Sequence, residues 1–131
     1  MKKVIVFLIF ICLLQKLTAQ FSAALYPVYN GKDLGLTYNK TSSSFRIWSP
    51  PADEAELILY KEGENGKALK NIVLKKGING TWFTKLNGDW KGTFYVFRVK
   101  IKGRWSNEVP DPYTKAVGIN GKRAMVIDLR D

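Results

Sequence analysis

Eleven carboxylates and no histidine bound the chemistry open to this chain of 131 residues. Without histidine there can be no Ser-His-Asp triad, no Cys-His pair and no histidine-ligated metal. The one cysteine, Cys12, supplies neither an internal disulfide nor a zinc-binding cluster. Two carboxyls held roughly 5–10 Å apart across a cleft would suit glycoside hydrolysis. The acids are not gathered for that purpose: Asp53, Glu54 and Glu56 open a strand-like run, Glu62 and Glu64 fall in a turn, and Asp128 and Asp131 lie at the tail. The glycine-rich pieces precede no helical pattern and match neither a phosphate loop nor a dinucleotide fingerprint. No catalytic residue, cofactor or metal is therefore assigned. The residues whose types and spacing suggest a task are Trp105, Arg98 and Lys100, an indole with two cations.

Those three depend on one run of alternating character. In Thr93–Lys102, Tyr95, Phe97, Val99 and Ile101 fall on one face of a strand, and Phe94, Val96, Arg98, Lys100 and Lys102 on the other. The cations send the second set outward and the first to the core. If Lys102-Gly103 is a two-residue turn, Ile101 pairs with Arg104 and Lys100 with Trp105. Trp105 then joins the cations on the outer face, a flat apolar platform ringed by donors that suits a sugar. A longer turn reverses the register and buries Trp105 in the core.

The chain around that run reads as short strands between turn signals. Asn30-Gly31, Ser49-Pro50-Pro51, Glu64-Asn65-Gly66, Gly77–Gly80, Asn87-Gly88-Asp89, Lys102-Gly103 and Asn120-Gly121 punctuate it. Between them lie runs rich in β-branched and aromatic residues: Ser44–Trp48, Glu56–Tyr60, Leu69–Leu74, Thr81–Leu86, Thr93–Lys102, Trp105–Val109 and Arg123–Asp128. Leu34–Tyr38 adds an edge strand. About seven short strands predict an all-β, immunoglobulin-like antiparallel sandwich. Trp48 and Trp82 are expected in or beside its core, and Trp90 falls in a turn.

Residues 1–19 read as a signal peptide: basic Met1-Lys2-Lys3, an unbroken apolar run of 11 residues from Val4 to Leu14, then a polar stretch ending at Ala19. The run is too short for a membrane span, which needs ~20 residues. Cleavage after Ala19, with cleavage after Ala24 as the alternative, removes Cys12 and lowers the formal charge from +10 to +7. An exported domain without cysteine must rely on its core. The basic residues are dispersed along the chain, so no nucleic acid partner is expected, and with the leader removed no membrane span is expected in the mature protein.

Phe45-Arg46-Ile47-Trp48-Ser49-Pro50-Pro51-Ala52 resembles the opening strand of carbohydrate-binding module family 48, the early-set sandwich found ahead of the barrel in debranching enzymes of the α-amylase superfamily. Residues 30–38, Asn30-Gly31-Lys32-Asp33-Leu34-Gly35-Leu36-Thr37-Tyr38, resemble the lead-in of type I pullulanases. Asn107–Leu129, with Asp111-Pro112-Tyr113 and Asn120-Gly121-Lys122-Arg123, resembles the end of their module. The resemblance implies a lead-in segment at 20–40, a module at 41–131, and a catalytic barrel beyond residue 131 that hydrolyses α-1,6 linkages in pullulan, amylopectin or glycogen. It places Trp105 and Arg98 at a glycan-binding platform and makes Asp111, Pro112 and Tyr113 an edge for docking the barrel. A second platform tryptophan is missing, because Tyr60-Lys61-Glu62-Gly63 stands in its place. The other open reading is a free-standing secreted sandwich that binds protein or a cell-surface polymer through its basic face.

Overall fold

The computed structural model describes residues 25–131; the signal-peptide reading of residues 1–19 lies outside them. Its strands are β1 (Gly35–Asn39), β2 (Ser42–Trp48), β3 (Glu54–Tyr60), β4 (Ala68–Val73), β5 (Lys75–Lys76), β6 (Thr81–Asn87), β7 (Phe94–Ile101), β8 (Arg104–Trp105) and β9 (Ala124–Met125). One sheet has the order β1-β2-β6-β5; the other runs β4-β3-β7-β8, with β9 pairing to β7. All pairings are antiparallel. The all-β sandwich is as expected.

Alternation positions the core between the sheets. Phe45 of β2, Leu57 and Leu59 of β3, Trp82 of β6, and Tyr95 and Phe97 of β7 are buried together with Val126. Their aromatic rings meet edge to face, Phe45 on Tyr95 at 4.9 Å and Tyr95 on Phe97 at 5.8 Å, the arrangement that sets a positive ring edge on a negative ring face. Trp82 satisfies its indole N–H by donating to the Ser49 carbonyl at 3.1 Å. Trp90 packs against the core and donates to the Asn87 carbonyl.

Several expectations need correction. Trp48 is not core: it lies on the opposite parity from Phe45 and Ile47, is 44% exposed, and donates its N–H to the carbonyls of Pro27 and Asn79. Val96 and Phe94 do face outward, but they are not solvated. Val96 is 1% exposed, and with Ile58 and Tyr60 it forms a second small cluster against which Phe94 packs. Ile101 has core parity, yet it sits at the strand end and is exposed. The run Trp105–Val109 gives only the two-residue β8 and a lone bridge between Phe97 and Val109. In between, Ser106 closes the ladder with its side chain, its Oγ accepting the Val99 N–H at 3.0 Å. Likewise Arg123–Asp128 yields only β9. Leu74 is buried and separates β4 from β5, so the strand expected at Leu69–Leu74 passes from one sheet to the other.

Candidate functional site: an indole and two cations on an outer sheet face

The β7–β8 turn decides where Trp105 points. Lys102 and Gly103 both adopt positive φ, 49° and 75°, the conformation of a two-residue type I′ turn whose twist matches its flanking strands. Glycine adopts it freely; Lys102 does so against its preference. The register is therefore the short-turn one, Lys100 opposite Trp105 and Ile101 opposite Arg104, and the indole joins the outer face.

Across the other edge of β7, the register pairs Glu54 with Lys100 and Glu56 with Arg98. Two acids two residues apart on β3 thus meet two cations two residues apart on β7, all on one face. The Arg98 guanidinium contacts the Glu56 carboxylate at 2.7 Å and the Lys100 ammonium reaches Glu54 at 2.9 Å. On the opposite side the same cations approach the indole: Arg98 lies 4.6 Å from the Trp105 ring centroid and Lys100 5.7 Å. Both distances are within the range of cation–π attraction. Trp105 is half-buried as a result. Arg98 and Lys100 retain N–H donors beyond those used on the acids, since guanidinium has five and ammonium three. The group offers an apolar ring flanked by donors whose positions are fixed by ion pairs.

Beside it the face is floored by the second cluster. Tyr60 donates to Glu108 at 2.6 Å, and its hydroxyl is raised above the usual phenol range, first by burial and then by that carboxylate. The Arg123 guanidinium lies 3.3 Å from the Tyr60 ring centroid and donates to the carbonyls of Glu62 and Asn65 at 2.8 and 2.7 Å. Sequence reasoning missed Glu54, Glu56, Ile58 and Arg123 as parts of this surface. The two Glu-x-Glu acids against Arg-x-Lys carried a signal for the first pair; for the others, parity alone could not show what covers them.

Asp111, Pro112 and Tyr113 are brought together elsewhere, at the open edge of β1. Asp111 is only 2% exposed. Its carboxylate accepts from the Tyr95 hydroxyl at 2.7 Å and from the Tyr113 backbone N–H at 2.9 Å. The Tyr95 hydroxyl is pushed far up by burial, then by the Asp111 charge, and remains a donor at any physiological pH. Gly35 at the start of β1 makes the fit possible: its φ is +89°, and a Cβ there would lie 2.8 Å from Tyr113 Cβ and 3.1 Å from Asp111 Oδ2. Asp111 is thus a buried lock that faces inward, contrary to its expected place on an exposed edge; of the three only Pro112 and Tyr113 are exposed. They border a cleft of about 590 Å³ lined also by Leu36, Tyr38, Lys115 and Leu129. At its far end Arg130 grips Asp128 through two N–H groups at 2.8 Å, which holds that carboxyl down at about 2.

The geometry is thus an antiparallel sandwich with an indole and paired cations on one outer sheet face. This chain belongs to the carbohydrate-binding module 48 family (isoamylase N-terminal domain), whose model matches residues 33–114. It is similar to pullulanases. That of Bacillus subtilis (strain 168) is 32% identical over 110 residues, which cover 84% of this chain and 14% of that protein. The apo pullulanase structure from Paenibacillus barengoltzii superposes with a TM-score of 0.74 at 43% identity, over 78% of this chain and 15% of that one. The Bacillus acidopullulyticus pullulanase gives 0.76 at 34% identity, over 81% and 13%. The chain thus spans about one seventh of the length of the pullulanases it matches.

Proposed function

We propose that this chain is the accessory module of an exported pullulanase-type glycoside hydrolase acting on α-1,6 linkages of α-glucans. In this reading it holds an α-glucan chain against Trp105, Arg98 and Lys100 and docks the catalytic barrel of the same polypeptide through Pro112 and Tyr113, with Asp111 fixing the turn beneath them. The observation that carries the glycan contact is the type I′ turn, which places Trp105 beside Arg98 instead of in the core. Support for the sugar class comes from the Paenibacillus barengoltzii pullulanase, solved in complex with maltohexaose and alpha-cyclodextrin and superposing here with a TM-score of 0.76.

One indole adds only about 1 kcal/mol of stacking beyond its buried area, so affinity for amylopectin is in the millimolar range or slightly tighter. In an amylopectin affinity gel the protein is expected to be retarded, and Trp105→Ala to run as in a gel without glycan. The variant's thermal midpoint stays nearly unchanged, because the ring is half-buried on an outer face. Unretarded wild-type protein would overturn the glycan reading and leave barrel docking as the module's role.

Export rests on the basic, apolar and small-residue order of Met1–Ala19. N-terminal analysis of secreted material is expected to begin at Gln20. A chain that retains Met1 would show the segment is not removed.

A further inference from the structure

The acids are absent from one long stretch: no Asp or Glu occurs between Glu64 and Asp89, while Lys67, Lys70, Lys75, Lys76 and Lys85 do. The topology turns this stretch into a single feature. β4 is the outer strand of one sheet and β5 the outer strand of the other, and the chain crosses directly between them at Leu74. Residues 67–76 therefore line one whole side of the sandwich. Lys67, Lys70, Lys75 and Lys76 are all exposed. Lys85 stands on the neighbouring strand β6, two residues beyond Phe83, the partner of Lys75. Among the described residues, none of these five lysines is in a salt bridge, whereas Arg46, Lys91, Arg98, Lys100, Lys122 and Arg130 each hold a carboxylate. A run of lysines without carboxylate partners, and with no acid among them, thus follows one edge, on the side opposite β1 and its cleft.

We infer that this edge is a binding surface for a linear polyanion, a polymer with regularly repeated phosphate, sulfate or carboxylate groups. Its shape selects that class. At ~3.3 Å per residue the lysine-bearing strands extend for roughly 30 Å, several times the ~8 Å over which exposed charges act together at physiological salt. A small anion could engage only one or two of the lysines. A polymer running along the edge meets them in succession and releases counterions at each contact. The ridge follows one length of chain from β4 into β5, with Lys70 and Lys76 opposite the core residues Leu59 and Trp82 and Lys75 on the other parity, a line of charge and not a flat face of the kind an anionic bilayer would meet. Edge lysines also prevent strand addition between copies of a sandwich, and the experiment must separate that duty from binding. The inference is independent of the glycan reading, which concerns a different face and a neutral ligand.

The test is fluorescence anisotropy of labelled long-chain polyphosphate titrated with the protein at low salt. Two variants lose the same four charges: Lys67→Gln, Lys70→Gln, Lys75→Gln and Lys76→Gln together, and Lys32→Gln, Lys40→Gln, Lys102→Gln and Lys115→Gln together as a control away from the edge. The edge variant is expected to bind more weakly by on the order of tenfold or more, and the control by far less. Arginine at the same four edge positions should keep the affinity, which also covers the case in which the glutamine variant self-associates. Equal losses in both glutamine variants would reduce the effect to net charge and overturn the inference. So would absence of wild-type binding, or capture by anionic phospholipid vesicles without binding to polyphosphate.

Discussion

Asp111→Ala lowers the stability of the domain by about 3 kcal/mol. The substitution removes the carboxylate that accepts from the Tyr95 hydroxyl, in the middle of the core, and it frees the Tyr113 N–H that the same carboxylate holds. A buried donor left unsatisfied costs roughly 1–3 kcal/mol, and a hydrogen bond to a charged group contributes ~1.5–3. The more exposed Tyr113 amide can turn to water, which keeps the total nearer the middle of the combined range. In a domain of this size such a loss corresponds to a fall of ~12 °C or more in the thermal midpoint. Tyr95→Phe is expected to cost less, because Asp111 keeps its backbone donor. The double variant Tyr95→Phe/Asp111→Ala costs clearly less than the two singles added, since it removes donor and acceptor together. Strictly additive losses by chemical denaturation would show that the lock does not operate as a pair.

Arg123→Ala is expected to destabilise by about 2–3 kcal/mol, and differently in kind. The side chain ties the turn at residues 62–65 to the sheet through two carbonyls and lies flat on Tyr60. Hydrogen bonds from a charged donor each contribute ~1.5–3 kcal/mol, and a partly desolvated cation–π contact ~1–2; water reaching the freed carbonyls returns part of that. Lysine at the position restores part of the loss: both carbonyls accept from one nitrogen, Nη1, which an ammonium can replace, whereas the planar stacking on Tyr60 is lost. Limited proteolysis supplies a second readout: cleavage between Lys61 and Lys67 should accelerate in the variant before global unfolding does. Arg123→Ala with wild-type stability and unchanged cleavage there would show that the turn stands without its anchor.

These two residues also mark where the sequence could be read and where it could not. The β7 alternation was legible because three cations cannot share a face with the core; the length of the β7–β8 turn was not, because Lys102-Gly103 allowed both a two-residue turn and a longer one that would bury Trp105, and the backbone φ values decided between them. Face is all that alternation reports. Val96 and Phe94 were placed correctly by parity and incorrectly by environment: the Phe94 ring lies against Gly63 and Gly118, and Arg123 lies over Tyr60, covers supplied by segments distant in the chain. Asp111 was read as part of an exposed docking edge because the resemblance of Asp111-Pro112-Tyr113 implied one. Nothing local reveals that Tyr95, 16 residues earlier, donates to it. β8 came out shorter than composition promised, because beyond Trp105 the backbone of β7 is met by the Ser106 side chain at Val99 and by a lone bridge between Phe97 and Val109.

The two faces of β7 are not independent properties. Tyr95 and Phe97 fill the core from one side of the strand while Arg98 and Lys100 orient the indole from the other, and a slip by one residue would exchange them. A descendant of this chain could abandon the indole with a single change at Trp105 and keep its fold. It could not relocate the two cations along the strand without dismantling the domain. The proposed recognition surface is in this sense hereditary with the core: lineages are free to tune or extinguish it, but the place where it can arise was settled when the sandwich was.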